Sequence, residues 1–184
     1  MNVDLKEITQ ALSSFQSENL DGDYLLVSIS DQTLFLVRDN NVSHEFSVST
    51  AIKGVGSEEG SEKTPLGIHR IAEKIGKGAV YGSLFKARKN THQVAAMCSD
   101  GEYSPIDAIT TRILWLDGLE LGKNKDSGEQ WKVDSYQRYI YIHGTDEEWR
   151  LGKPASHGCI RMSNHAITKL YDKVYVNTLV VIIE

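Results

Sequence analysis

The sequence predicts a single, mostly β domain with peripheral helices, of the sandwich or barrel type. An N-terminal helix and a second helix, after a loop dense in reactive side chains, flank it. Three observations carry this. Short runs rich in Val, Ile, Leu, Phe and Tyr recur between turn residues. Only two stretches repeat apolar residues at helical spacing. The length of 184 residues suits one domain with a real core.

Leu5, Ile8, Leu12 and Phe15 fall on one helical face, and Asp4 stands where an N-cap belongs. Leu20-Asp-Gly-Asp breaks the pattern, so residues 1–21 read as a helical appendage to a domain over 22–184. From Tyr24, YLLVSIS, TLFLVRD and VSHEFSVSTA read as three strands of an antiparallel meander, turned at Asp31-Gln32 and Asp39-Asn40-Asn41. Residues 52–63 are polar and Gly-rich, a surface loop expected to be mobile and to border a groove. A strand follows near Gly67–Ile75. The stretch 76–109 reads as loops with one short strand. TRILWLDG (111–118) is a strand, 119–133 a polar loop, and RYIYIHG (138–144) a strand with a polar end. In that strand Tyr139 and Tyr141 alternate with Ile140 and Ile142, so one pair faces the core. Asn164 is the expected cap of a helix burying Ala166, Ile167, Leu170 and Val174, and TLVVII (178–183) a buried closing strand.

Composition excludes several classes. The net charge of −5 disfavours binding to a phosphate backbone, so no nucleic-acid partner is expected. The run Leu179–Ile183 is far short of the ~20 residues of a membrane span. MNVDLKEITQ holds no apolar stretch of the ~7–15 residues a secretory signal needs. A cytoplasmic location is therefore expected for the chain as it stands, and a periplasmic one if a leader has been removed. Cys98 and Cys159 form neither a disulfide framework nor a CxxC motif.

The chemistry concentrates at Ile142-His143-Gly144-Thr145 and Ser156-His157-Gly158-Cys159-Ile160-Arg161-Met162. A thiolate is the reactive form of cysteine, and an imidazole in reach can take its proton. A glycine before the cysteine lets substrate approach the backbone, whose N–H groups suit an oxyanion. The rival use of His143, His157 and Cys159 is zinc binding, but H-x-C crowds two ligands and no fourth stands at a recognised spacing. No metal or cofactor is expected. Cys98 lacks such a setting and reads as a structural thiol. His44, His69, His92 and His165 read as solvated or structural. Gly54-Val-Gly56-Ser-Glu-Glu-Gly60 has the wrong spacing and two acids for a dinucleotide loop. Lys63 reads as solvated. Trp115 reads as core, and Trp149, between the two motif halves, as a possible lid.

The motif S-H-G-C-I-R-M (156–162), preceded by I-H-G-T (142–145), resembles the active-site signature of the L,D-transpeptidase catalytic domain, the YkuD-like family. His143 and His157 stand fourteen residues apart, within that family's spacing. T-P-L-G-I (64–68) resembles its T-P-x-G element, and the LFLV hairpin its first strands. The resemblance implies a YkuD-like fold with Cys159 as nucleophile, His143 as base and the Gly144 carbonyl orienting the imidazole. His157, Gly158 and the Cys159 amide would form the oxyanion environment. Ser156 and Arg161 would line the pocket, Arg161 facing a substrate carboxylate.

The implied substrate is the peptidoglycan stem peptide, cut between an L-centre, usually diaminopimelate, and D-Ala through a thioester. Carbapenem-type β-lactams are implied covalent inhibitors. With no visible leader, the expectation is a cytoplasmic L,D-carboxypeptidase trimming tetrapeptide to tripeptide in murein recycling. The alternatives are a periplasmic L,D-transpeptidase making 3–3 cross-links or exchanging D-amino acids, and a non-catalytic peptide-binding module.

Overall fold

The computed structural model describes residues 5–15, 23–128 and 132–184. Asp4, the break at 20–22 and Trp131, one of the three tryptophans of the sequence, lie outside them. Ten strands follow the first helix: β1 (Tyr24–Ser28), β2 (Thr33–Arg38), β3 (Asn41–Ser49), β4 (Gly67–Ile75), β5 (Ser83–Lys86), β6 (Lys89–Val94), β7 (Ile109–Gly118), β8 (Tyr141–Gly144), β9 (Ile160–Met162) and β10 (Leu179–Ile183). The helices are α1 (Leu5–Leu12) and α2 (Asn164–Tyr171). The strand order is β4-β10-β1-β2-β3-β9-β8-β7-β5-β6, and a further β4–β7 pairing closes the first eight into a ring. The fold is the mostly β barrel with two peripheral helices that the sequence predicts.

β1, β2 and β3 form the antiparallel meander, with Gln32, Asp39 and Asn40 at positive φ in its turns. β10 inserts parallel to β1 and antiparallel to β4, and β8 and β9 are also parallel. Leu25, Val27, Leu34, Leu36, Ile142, Ile160 and Val180 point into the ring, where α2 adds Ile167 and Leu170. Alternate residues of the same strands, Tyr24, Leu26, Phe35, Val37 and Leu179, face outward and are covered at Leu12. A helix of eight residues is marginal alone, so burial of Leu12, with Leu5 and Ile8 partly buried, holds α1 in place. Full burial of one such leucine stabilises by about 1.5–3 kcal/mol. A third cluster, Phe85, Ile113, Trp115 and Tyr141, covers the other outer face, and Cys159 packs against it.

Several elements differ from expectation. The stretch 76–109 holds a two-stranded hairpin, β5–β6, turning at Ala87 and Arg88 in the left-handed region. β8 begins only at Tyr141, because residues 135–139 form turns and Tyr139 has φ +58°. Ile140 and Ile142 do face the core. Ser163, not Asn164, caps α2: its backbone is extended and its hydroxyl accepts the Ala166 N–H at 3.1 Å. Asn164 is fully buried instead and ties elements together. Its amide Nδ2 donates to the Thr145 carbonyl at 2.8 Å and to Glu148 at 2.7 Å, while its Oδ1 accepts from Thr110 at 2.6 Å and from Thr111.

Candidate active site

β8 and β9 run side by side with His143 opposite Arg161 and Ile142 opposite Ile160. One step back along both strands, Cys159 stands level with Tyr141. Alternation sends Ile142 and Ile160 into the barrel, so Tyr141, His143, Cys159 and Arg161 all emerge on the opposite face. The parallel pairing thus brings the two motif halves together.

His143 is 2% exposed. Its Nδ1 lies 2.8 Å from the Gly144 carbonyl, which can only accept, so Nδ1 carries the proton and Nε2 is left as the basic nitrogen. Burial lowers the imidazole pKa below its usual value, against the opposing pull of Asp107 and the Gly144 carbonyl. Gly144 has no room for a side chain, since a Cβ would lie 2.7 Å from both Asn164 Oδ1 and the Thr110 carbonyl.

The Cys159 thiol donates to the Tyr139 carbonyl and accepts the Tyr141 N–H, both at 3.4 Å. Burial pushes it up to about 12; the Tyr141 N–H, Arg161 and Arg138 pull the other way. The resting sulfur is therefore a thiol engaged with backbone.

The loop before Cys159 is built by its own side chains. Ser156 is buried; its hydroxyl donates to the Cys159 carbonyl at 2.5 Å and accepts the Gly158 N–H at 3.1 Å. Gly158 has φ +129°, and its carbonyl accepts the Thr64 hydroxyl at 3.0 Å. That hydroxyl also accepts the Ala51 N–H, so the T-P-L-G segment clamps the cysteine loop to the end of β3.

Arg161, 2% exposed, is bound to Asp107 at 2.5 Å and to Glu147 at 2.6 Å. Its charge is committed inside the protein. Burial works to raise the Asp107 carboxyl, but Arg161, His157 and His143 bring it below the usual carboxylate range. His157 extends outward, 61% exposed at its side chain, with Nδ1 on Asp107 at 2.7 Å. Asp107 and Arg138 escaped the sequence reading. Arg138 holds the loop at the carbonyls of Gly56 and Lys63, 3.3 and 2.8 Å away, and its charge bears on the Cys159 thiol. Neither position had a local motif to mark it.

A pocket of about 270 Å³ opens at the thiol, lined by Glu59, Gly60, Arg138, Tyr139, His157 and Cys159 among others. The loop 52–63 borders it, as expected. Trp149 instead packs edge-on against Tyr103 and donates to the Glu102 carbonyl at 2.9 Å. Trp115 is buried and stacks on Tyr136. His69 is buried between the Gly67 carbonyl and Ser135, a structural histidine. Among the described residues, no group of three or more His, Cys, Asp or Glu side chains is arranged to hold a metal ion.

A thiol and an imidazole emerging on one face of the β8–β9 pair are groups with which acyl transfer can be carried out. The L,D-transpeptidase catalytic domain (YkuD) matches residues 22–182, and the chain belongs to that family. Two solved structures with TM-scores above 0.5 agree on the fold, and a third, below 0.5, bears a similarity alone. The L,D-transpeptidase from Xylanimonas cellulosilytica (residues 123–326) is 17% identical, with 96% of this chain and 69% of that one covered and a TM-score of 0.54. The Ldtfm–avibactam carbamoyl enzyme is 16% identical, covering 90% and 49%, TM-score 0.52. L,D-transpeptidase 3 from Mycobacterium tuberculosis with a faropenem-derived adduct is 16% identical, covering 88% and 60%, TM-score 0.49. This chain thus spans about half to two thirds of these proteins. No curated protein matches the chain.

Proposed function

We propose that the protein is a cysteine-dependent acyl-transfer enzyme acting on peptidoglycan stem peptides at the bond from an L-centre, usually diaminopimelate, to D-Ala. The observation that carries this reading is the placement of Cys159 and His143 on one face of the β8–β9 pair, with Cys159 lining a pocket. Family membership supplies the substrate class. The thiol leaves the Tyr139 carbonyl, Nε2 of His143 takes its proton, and sulfur attacks the carbonyl carbon. Expulsion of D-Ala leaves a thioester, which an acceptor then resolves. Carbapenem-type β-lactams are expected to acylate the same sulfur.

Water is the acceptor in this proposal, which makes the enzyme an L,D-carboxypeptidase. The pocket that opens at Cys159 gives water access to the thioester, and hydrolysis requires no second peptide to be held there. The product is tripeptide, the form recovered in murein recycling, and the cytoplasm is the proposed setting. A periplasmic L,D-transpeptidase is the competing reading.

The test is mass spectrometry of a diaminopimelate tetrapeptide incubated with the native chain or Cys159→Ala, with and without a D-amino-acid acceptor. Tripeptide from the native chain alone, even with acceptor present, is the expected result. Exchange products or 3–3 dimers would move the assignment to transpeptidation. Turnover by Cys159→Ala, or none by the native chain, would overturn acyl transfer at this centre.

A further inference from the structure

We propose that Asp107 and His157 form a second proton-transfer dyad, in which His157 protonates the leaving amine and then activates the attacking water, while His143 serves only the thiol. The proposal rests on the acyl-transfer reading above. One imidazole shares a strand face with Cys159 and another shares its pocket, and their surroundings differ. His143 is buried, with Nδ1 on a neutral carbonyl. His157 is exposed in the pocket wall, two residues from Cys159, with Nδ1 on a carboxylate at 2.7 Å. Nδ1 carries the proton there, so Nε2 of His157 is its exchangeable site, and a carboxylate on Nδ1 stabilises the charged ring.

Asp107 is itself held. Its other oxygen meets the Arg161 guanidinium at 2.5 Å, and Arg161 is locked by Glu147. The Asp107 backbone is left-handed, φ +46°, in a loop whose Ser104 is bonded to Asp146 at 2.6 Å and Glu147 at 2.9 Å. A buried guanidinium unable to meet substrate thereby fixes a carboxylate that fixes an exposed imidazole. Asp107 is the positioning residue and His157 the group that meets the reacting atoms.

The protons balance over one cycle. At the start Cys159 is a thiol, His143 neutral and His157 doubly protonated. In acylation the thiol proton passes to His143, the C–S bond forms, the C–N bond breaks, and the leaving nitrogen takes the proton from Nε2 of His157. In deacylation Nε2 of His157 takes a proton from water as its oxygen attacks the thioester carbon. The C–S bond breaks, and sulfur recovers its proton from His143. The starting state returns with one amide hydrolysed.

The test compares two substrates with one acyl group. One is the L,D-amide tetrapeptide; the other is the p-nitrophenyl ester of the same acyl group, whose leaving group departs without a proton. For His157→Gln, an exposed substitution, amide turnover is expected to fall about 10²–10⁴-fold, and the pre-steady-state acylation burst with the ester to fall at least about tenfold less. For Asp107→Asn, kcat for the amide is expected to fall while KM holds within about threefold, because the imidazole is still present but no longer aligned. An equal fall in both arms would make His157 a binding or structural residue and overturn the dyad, as would no fall in the amide arm or an unchanged kcat in Asp107→Asn. A native enzyme that leaves the amide intact would overturn the functional reading, and the dyad with it, since no amine is then released.

Discussion

His143 and Arg161 stand opposite each other in register on two parallel strands, one carrying the candidate base and the other a buried cation held by two carboxylates. The cation works against protonation of the imidazole next to it, and Asp107 works for it. The base is thus set by a balance of fixed charges as well as by burial.

The first prediction concerns pH. The imidazole must be neutral to accept the thiol proton, and burial lowers its pKa below 6.5. The acid limb of kcat/KM is therefore expected below pH 6.5 in the native enzyme. Alkylation of Cys159 by iodoacetamide in the free enzyme should keep rising with pH, because its thiol is held at about 12. A plateau in alkylation rate near neutrality would mean a resting thiolate and sink this account.

Gly144→Ala is expected to cost both stability and rate. The new methyl would meet Asn164 Oδ1 and the Thr110 carbonyl at 2.7 Å. Overpacking of this kind costs about 1–3 kcal/mol, and the shift moves the carbonyl that aligns His143. Urea unfolding and kcat on the same preparation check it. Native values for both would show that the close approach carries no constraint.

Arg161→Gln leaves Asp107 and Glu147 without their shared cation inside the protein. Breaking a buried pair from one side costs about 3–5 kcal/mol. Arg161→Lys is expected to lie between, since one ammonium cannot spread over both carboxylates as the planar fork does. Chemical denaturation ranks the three. A glutamine variant as stable as the native protein would show the network to be idle.

His69 predicts a loss of stability in mild acid. Burial brings its pKa down to about 4, against the Gly67 carbonyl, Glu120 and Asp117. A depressed folded-state pKa means that the unfolded chain takes the proton first. The contribution is whole above pH 6.5 and is lost as pH falls toward about 4. At 1.36 kcal/mol per unit the loss is on the order of 3 kcal/mol, and His143 adds to it in the same direction. Unfolding free energies at pH 7.5 and 4.5 should differ for the native chain and differ less for His69→Gln. A flat profile for the native chain would refute the buried neutral histidine.

The strands were legible where local chemistry decides them. The meander turns on Asp39-Asn40, residues that tolerate the left-handed region, and its runs alternate cleanly. The hairpin β5–β6 was not legible as a pair, because its exposed strand KNTHQV lacks apolar periodicity and is held by pairing alone. Cys159 and His143 were marked by glycines and by each other. Asp107 and Arg138 reach the same place through tertiary packing, from a loop and a turn with ordinary neighbours in sequence. Thr64 lies between: its segment was noticed, but its bond to the Gly158 carbonyl depends on a fold that only the closed ring provides. The helix cap was off by one because Ser163 and Asn164 are both good caps, and burial assigned Asn164 to other partners.

The insertion of β10 between β1 and β4 has a consequence for biosynthesis. β1 leaves the ribosome with its outer edge unpaired, and its neighbour on that side, β10, is made after the other nine strands of the sheet. Until residues 179–183 emerge, both β1 and β4 present bare edges of the sort that pair with other chains. Closure is a late, long-range event of the slow kind. Nascent chains stalled before β10 would depend on chaperone shielding, and Cys159 would reach its finished surroundings only after β10 has been made.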